Sequence, residues 1–189
     1  MSAEPNRNLI SDNYDWYLSR VLPVVSRRAI QPKYGYHGLY THTSAVVFRG
    51  IDYALSAQEN PMPVVLACAF HDMARTNDGP DIRHGENAIP IIKSILHDYL
   101  PVSPLEAKMI INAVKNHPFG MVAPDYVSAC LYDADRTRLA WECGYEARFF
   151  TTDRAKSIAS DDATKYIKFM NETMSKYAHG IINHLDMQY

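Results

Sequence analysis

Apolar residues recur along this chain mostly at three- and four-residue spacing, which predicts helices rather than strands throughout. Asp12 is placed to cap a first helix over about 12–30, in which Pro23 should kink or break the run. Pro32 to Gly38 reads as a loop carrying Tyr34 and Tyr36. Thr41 is placed to cap a helix over about 42–57, with Val46, Ile51, Ala54 and Leu55 forming much of its buried stripe. Pro61-Met62-Pro63 opens the next helix, Pro63 being suited to a first turn. Its run Val64-Val65-Leu66-Ala67-Cys68-Ala69-Phe70 is apolar on every side, so this helix should lie at the centre of the fold. His71-Asp72 falls near its C-terminal end.

Beyond it, 76–84 (TNDGPDIRH) is polar and turn-rich. A helix is expected over about 85–99, with Pro90 limiting its first turn. Ser103-Pro104-Leu105-Glu106 is the clearest local signal: a capping serine, a proline at the first helical position and a glutamate that completes a capping box. That helix should end near Asn116, before His117-Pro118. Pro124 or Asp125 starts another, through Asp133-Ala134-Asp135 to about Trp141. The span from about 161 to 187 reads as one or two further helices, with Gly180 as a break. Tyr166, Met170, Met174 and Tyr177 have helical spacing there and read as core. Without repeats, linkers or alternating strand runs, the expectation is one all-α domain over 1–189.

Composition narrows the function more than the fold. The chain is 47% hydrophobic and 21% charged, with a net charge of -2 and no long run of either sign. No nucleic-acid surface or membrane partner is expected from that balance. The N-terminus lacks the basic-then-apolar order of a signal peptide, and no apolar stretch approaches a bilayer span, so a cytoplasmic protein is expected. Cys68, Cys130 and Cys143 form no CxxC pair and read as reduced thiols. Phosphate loops of the glycine-rich type, a GxSxG elbow and a zinc knuckle are all missing from the sequence.

The chemistry is concentrated at His71-Asp72. An imidazole next to a carboxylate can bind one divalent cation, and burying that carboxylate without a partner is costly. Of the eight histidines, His42, His71, His84 and His117 lie at or near predicted helix ends, where a bundle can gather them in one pocket. His97, His179 and His184 read as surface or packing residues. His37 either lines an entrance or bonds to backbone, two readings the sequence leaves open.

The order His42, His71-Asp72, Asp135, with the strings HGLYTH (37–42), AFHDMARTNDGPDIRHG (69–85) and LYDADR (131–136), resembles the HD-domain superfamily of metal-dependent phosphohydrolases, in particular small bacterial members. The resemblance covers about 36–139, and the helices at about 161–187 would pack on that core. It implies an HD-type helical bundle with a metal site between helices. His42, His71, Asp72 and Asp135 would then bind a first metal, with Asp133 as the rival for the last place. His84 and His117 match the additional histidines of two-metal members, where Asp72 would bridge; in a one-metal site they would instead contact substrate.

The activity implied is hydrolysis of a phosphate ester or anhydride on a small molecule or nucleotide, by water that a metal activates. Asp72 would orient the water, and Arg75, one turn on, would grip phosphate oxygens. Lys115 is a weaker candidate for the same grip, as are Arg83 and Arg136. A nitrogen-rich site with carboxylates suits Mn, Fe, Co, Ni or Zn, one or two ions per chain. Two other readings share these residues: a mixed-valent di-iron oxygenase of the same fold, and a non-catalytic sensing module that keeps its metal.

Overall fold

Helix α4 (Pro61–Phe70) is the axis around which the rest is arranged, and its sequence explains why. Every residue from Pro63 to Phe70 is buried, so α4 has no polar face to offer water. Each large aliphatic side chain taken out of water there contributes roughly 1.5–3 kcal/mol. Asn60 starts the helix by accepting the Met62 amide at 3.1 Å. The computed structural model describes residues 7–120, 122–143, 147–161 and 168 of the chain. All regular structure among them is helical.

Three helices enclose α4: α3 (Ser44–Ser56), α6 (Pro104–Asn116) and α7 (Tyr126–Cys143). On the outside, α1 (Arg7–Trp16) packs on α3 and α2 (Leu22–Arg28) on α4. Helix α5 (His84–Asp98) packs on α6, while α8 (Asp153–Asp161) touches α3 and α7. Two close approaches depend on glycine. A Cβ on Gly50 of α3 would lie 2.7 Å from Cys68 Sγ of α4. A Cβ on Gly85 of α5 would lie 2.4 Å from the Val114 carbonyl of α6. Real Cβ atoms do not come so near, so the absent side chains set both interhelical distances.

Most predicted elements are present, and the differences have local causes. Pro23 neither kinks nor ends its helix in the simple sense: a wider π turn, Tyr17–Val21, precedes α2 and absorbs the missing proline amide. Thr41 does not cap α3. Its hydroxyl donates to the carbonyls of Gly35 and Gly38, and a π turn, Leu39–Thr43, starts from Gly38 instead. Pro90 lies inside α5 on the exposed side, so the helix continues through it. Helix α6 has the capping box, with Ser103 Oγ accepting the Glu106 amide at 3.3 Å and Glu106 accepting the Ser103 amide at 2.9 Å.

Helix α8 begins before the C-terminal helical span read from the sequence, and nearly all of that span, with His179, His184 and the Tyr/Met set from 166 to 177, lies outside the described residues. Among the described residues, no helix is long and apolar enough to cross a membrane.

Candidate metal centre between the helices

The π turn before α3, the end of α4 and the helices α5, α6 and α7 together deliver six side chains to a single point. The π turn before α3 presents His42 inward, where it is buried. The Tyr53 hydroxyl of α3 meets Thr137 Oγ1 of α7 at 2.8 Å and fixes the register that brings Asp135 opposite His42. His71 is the residue that ends α4, and Asp72 follows in the turn, both buried. His84 begins α5, and His117 closes α6 just before a short 3-10 turn. The Gly85 contact holds these last two ends together.

The result is two groups that share one carboxylate. In the first, His42 Nε2 lies 3.1 Å from Asp135 Oδ1 and 3.2 Å from His71 Nε2. Asp72 Oδ2 faces both imidazoles, 3.6 Å from His42 and 3.3 Å from His71. In the second, His84 Nε2 lies 2.8 Å from His117 Nε2, and Asp72 Oδ1 faces them at 3.1 and 3.8 Å. Arg75 Nε approaches the same Oδ1 at 3.3 Å, while its Nη1 donates to the Gly79 carbonyl at 2.8 Å.

The tautomers of these histidines decide what belongs between them. His71 Nδ1 donates to the Cys68 carbonyl at 2.7 Å and His117 Nδ1 to the Val114 carbonyl at 2.7 Å. His84 Nδ1 donates in the same way to the Asp81 carbonyl. With Nδ1 carrying the proton, each Nε2 presents a lone pair inward. Lone pairs of His84 and His117 facing at 2.8 Å repel each other unless a proton or a metal cation lies between them. The donor set therefore fits a divalent ion, and two triads have suitable ligand atoms: His42, His71, Asp135 and Asp72, His84, His117.

The electrostatics call for positive charge between these groups. Burial opposes charge on His71, yet Asp72 beside it and Asp135 beyond push its pKa up to about 9. Burial works against ionisation of Asp72 as well, but the surrounding imidazoles hold its carboxyl well below the usual range. Burial lowers His42 and His117, which favours the neutral, metal-ready imidazole.

Of the residues singled out in the sequence, His42, His71, Asp72, His84, His117 and Asp135 converge, and Arg75 lies against them. Asp133 points elsewhere. It is fully buried, and its carboxylate accepts the Thr151 amide at 3.0 Å and the Thr152 amide at 2.6 Å, at the start of α8. Lys115 is exposed and makes no contact with the cluster, and Arg136 reaches the Phe149 carbonyl. His97 is exposed and pairs with Asp98. His37 is the addition: its Nδ1 lies 3.1 Å from Asp72 Oδ2, so it does more than line an entrance or bond to backbone.

Fold and cluster together define a class: an all-α bundle with a buried histidine–aspartate centre between its helices. The chain is similar to a crystal structure of a predicted HD superfamily hydrolase from an uncultured Thermotogales bacterium. The TM-score is 0.61 at 19% identity, over 85% of this chain and 93% of that one. That likeness shows a shared fold. No protein-family model and no curated protein matches the chain.

Proposed function

We propose that the centre holds two divalent transition-metal ions, bridged by Asp72, and hydrolyses a phosphate ester or anhydride of a small molecule or nucleotide. The observation that carries the reading is the division of Asp72: Oδ2 belongs with His42, His71 and Asp135, and Oδ1 with His84 and His117. A one-metal site would leave the facing nitrogens of His84 and His117 without a charge to separate them. Mn, Fe, Co, Ni or Zn suits four imidazoles with two carboxylates.

Bound there, the ions supply Lewis acidity, which makes water a stronger acid and neutralises phosphoryl charge. The chain's own residues do the rest. Arg75 holds the Asp72 carboxylate through Nε, and its permanent charge at the rim is suited to equatorial phosphate oxygens. Asp135 is 29% exposed, unlike Asp72 at 3%, and its Oδ1 is engaged by His42. Burial works against its ionisation, but His42 and His71 hold its carboxyl below the usual range, so it stays ionised and can accept a hydrogen bond from water at the site. The backbone anchors of His71, His84 and His117 keep the rings fixed while substrate changes.

The test is a screen of phosphorylated metabolites with metal-loaded protein, run with oxygen excluded. Phosphate release that disappears in His71→Ala, together with the metal, is the expected result. Turnover that needs oxygen and two irons would assign the site to oxidation instead. Full activity in metal-free His71→Ala protein would contradict both.

A further inference from the structure

His37 stands apart from the other histidines of the centre. It belongs to the loop between α2 and α3, not to a helix end. Its backbone is held on both sides. The amide donates to Asp78 Oδ1 at 3.1 Å, and the carbonyl accepts from Gln31 Nε2 at 2.7 Å. Gln31 is itself buried, and its Nε2 also donates to Thr43 Oγ1 at 2.9 Å. The amides of Ile30 and Gln31 in turn meet the Met73 carbonyl, one residue past Asp72. The loop is thus tied to the turn that carries His71-Asp72.

The ring is arranged the other way. His71, His84 and His117 turn Nε2 inward and anchor Nδ1 on a carbonyl behind. His37 turns Nδ1 inward, 3.1 Å from Asp72 Oδ2, and its Nε2 has no hydrogen-bond partner among the described residues. His37, His42 and Asp72 form a third triad with ligand atoms close enough to share one ion. The ring meets Tyr36 and His42 edge to face, at centroid distances of 4.9 and 5.4 Å, and its side chain is 16% exposed. A fixed backbone with an unanchored, partly exposed ring can reach a metal and also leave it.

We propose that His37 is an exchangeable ligand of the first metal, occupying through Nδ1 the coordination position that an incoming anion takes. This rests on the metal reading above. In the resting protein the first ion would carry His42, His71, Asp72, Asp135 and His37. An anionic substrate would displace the imidazole, which swings toward Tyr36 and solvent while the loop stays anchored through Asp78 and Gln31. No bond beyond the coordination bond is made or broken.

The experiment loads wild type and His37→Ala with Co(II), and reads the visible absorption of the ion, its affinity and its displacement by inorganic phosphate. Removing a nitrogen ligand should change the absorption and weaken the first-site affinity about tenfold. Phosphate should then bind more tightly in the variant, by about tenfold if His37 is in place nine-tenths of the time. Phosphate added to wild type should move its spectrum toward that of the variant. Measured against its own metal-free form, each protein should gain unfolding temperature on adding metal, and the gain should be smaller in His37→Ala.

Identical spectra and affinities in the two proteins would overturn the proposal and leave His37 as a hydrogen-bond donor to Asp72. An altered spectrum with unchanged or weaker phosphate binding would overturn the exchange. Wild-type protein that binds no Co(II) at all would instead overturn the metal reading on which this one depends.

Discussion

The two halves of the centre differ in how charge and rigidity are distributed. The half made by His42, His71 and Asp135 has a carboxylate of its own besides its share of Asp72. The half made by His84 and His117 has only Asp72 Oδ1, and Arg75 competes for that oxygen at 3.3 Å. Rigidity runs the other way. Both histidines of the second half are anchored from behind, whereas His42 Nδ1 in the first is buried without a hydrogen-bond partner among the described residues. Affinity for a dication follows charge before stiffness, because each added carboxylate acts at short range in a poorly hydrated site. The first half should be the tight site and the second the weak one.

The comparison can be broken most severely at the group both halves share. Asp72→Ala should empty both, with activity falling about a thousandfold or more. Retention of one tightly held ion in that variant would mean the halves do not depend on a common bridge. Next in size is the contrast between Asp135→Ala and His117→Ala. The first should lose the tight ion and all measurable turnover, while the second should keep one ion per chain and lose only the weak one. Metal analysis after graded chelation reads both, and an equal effect of the two substitutions would erase the distinction.

A smaller effect should come from Gly85→Ala, which touches neither metal nor substrate. The new methyl group would press on the Val114 carbonyl and push α5 off α6. Overpacking of this kind costs about 1–3 kcal/mol. The weak site should lose roughly tenfold to a hundredfold in affinity through misplacement of His84. The tight site should be unchanged, and an equal loss at both would show that the halves move together.

Least of all, Asp133→Ala should remove about 1 kcal/mol of stability by releasing the Thr151 and Thr152 amides that lead into α8, with metal content intact. Burial pushes the Asp133 carboxyl above its usual value despite the amides it accepts. A folded value above the unfolded one gives stability that is complete in acid and is lost as pH rises through the folded value. The deficit of Asp133→Ala in denaturant melts should therefore be largest in mild acid and narrow toward neutral pH.

Local signals were legible to the residue where local interactions decide the outcome. The capping box at Ser103 and Glu106 needs only four consecutive residues, and it is present as read. The apolar run of α4 implied a central helix because no face was left for water, and it is buried throughout. The start of α3 was misread because the capping hydroxyl of Thr41 is spent on the preceding loop, through Gly35 and Gly38. Helix α8 was missed at its start because Asp133, distant in sequence, supplies acceptors for the amides there. The same contact separates Asp133 from Asp135, two carboxylates one residue apart that sequence spacing cannot assign. His37 was harder still, since its place depends on Asp78 and Gln31 folding the loop back over the turn after α4.

The central claim is that one carboxylate joins two metal sites, and Mn(II) titration followed by electron paramagnetic resonance tests it most directly. Metal-free protein should take up two Mn(II) per chain, one tightly and one weakly. As the second binds, the six-line spectrum of the isolated ion should give way to that of an exchange-coupled pair. Saturation at one ion per chain, or two ions whose six-line spectra simply add, would contradict the bridge at Asp72.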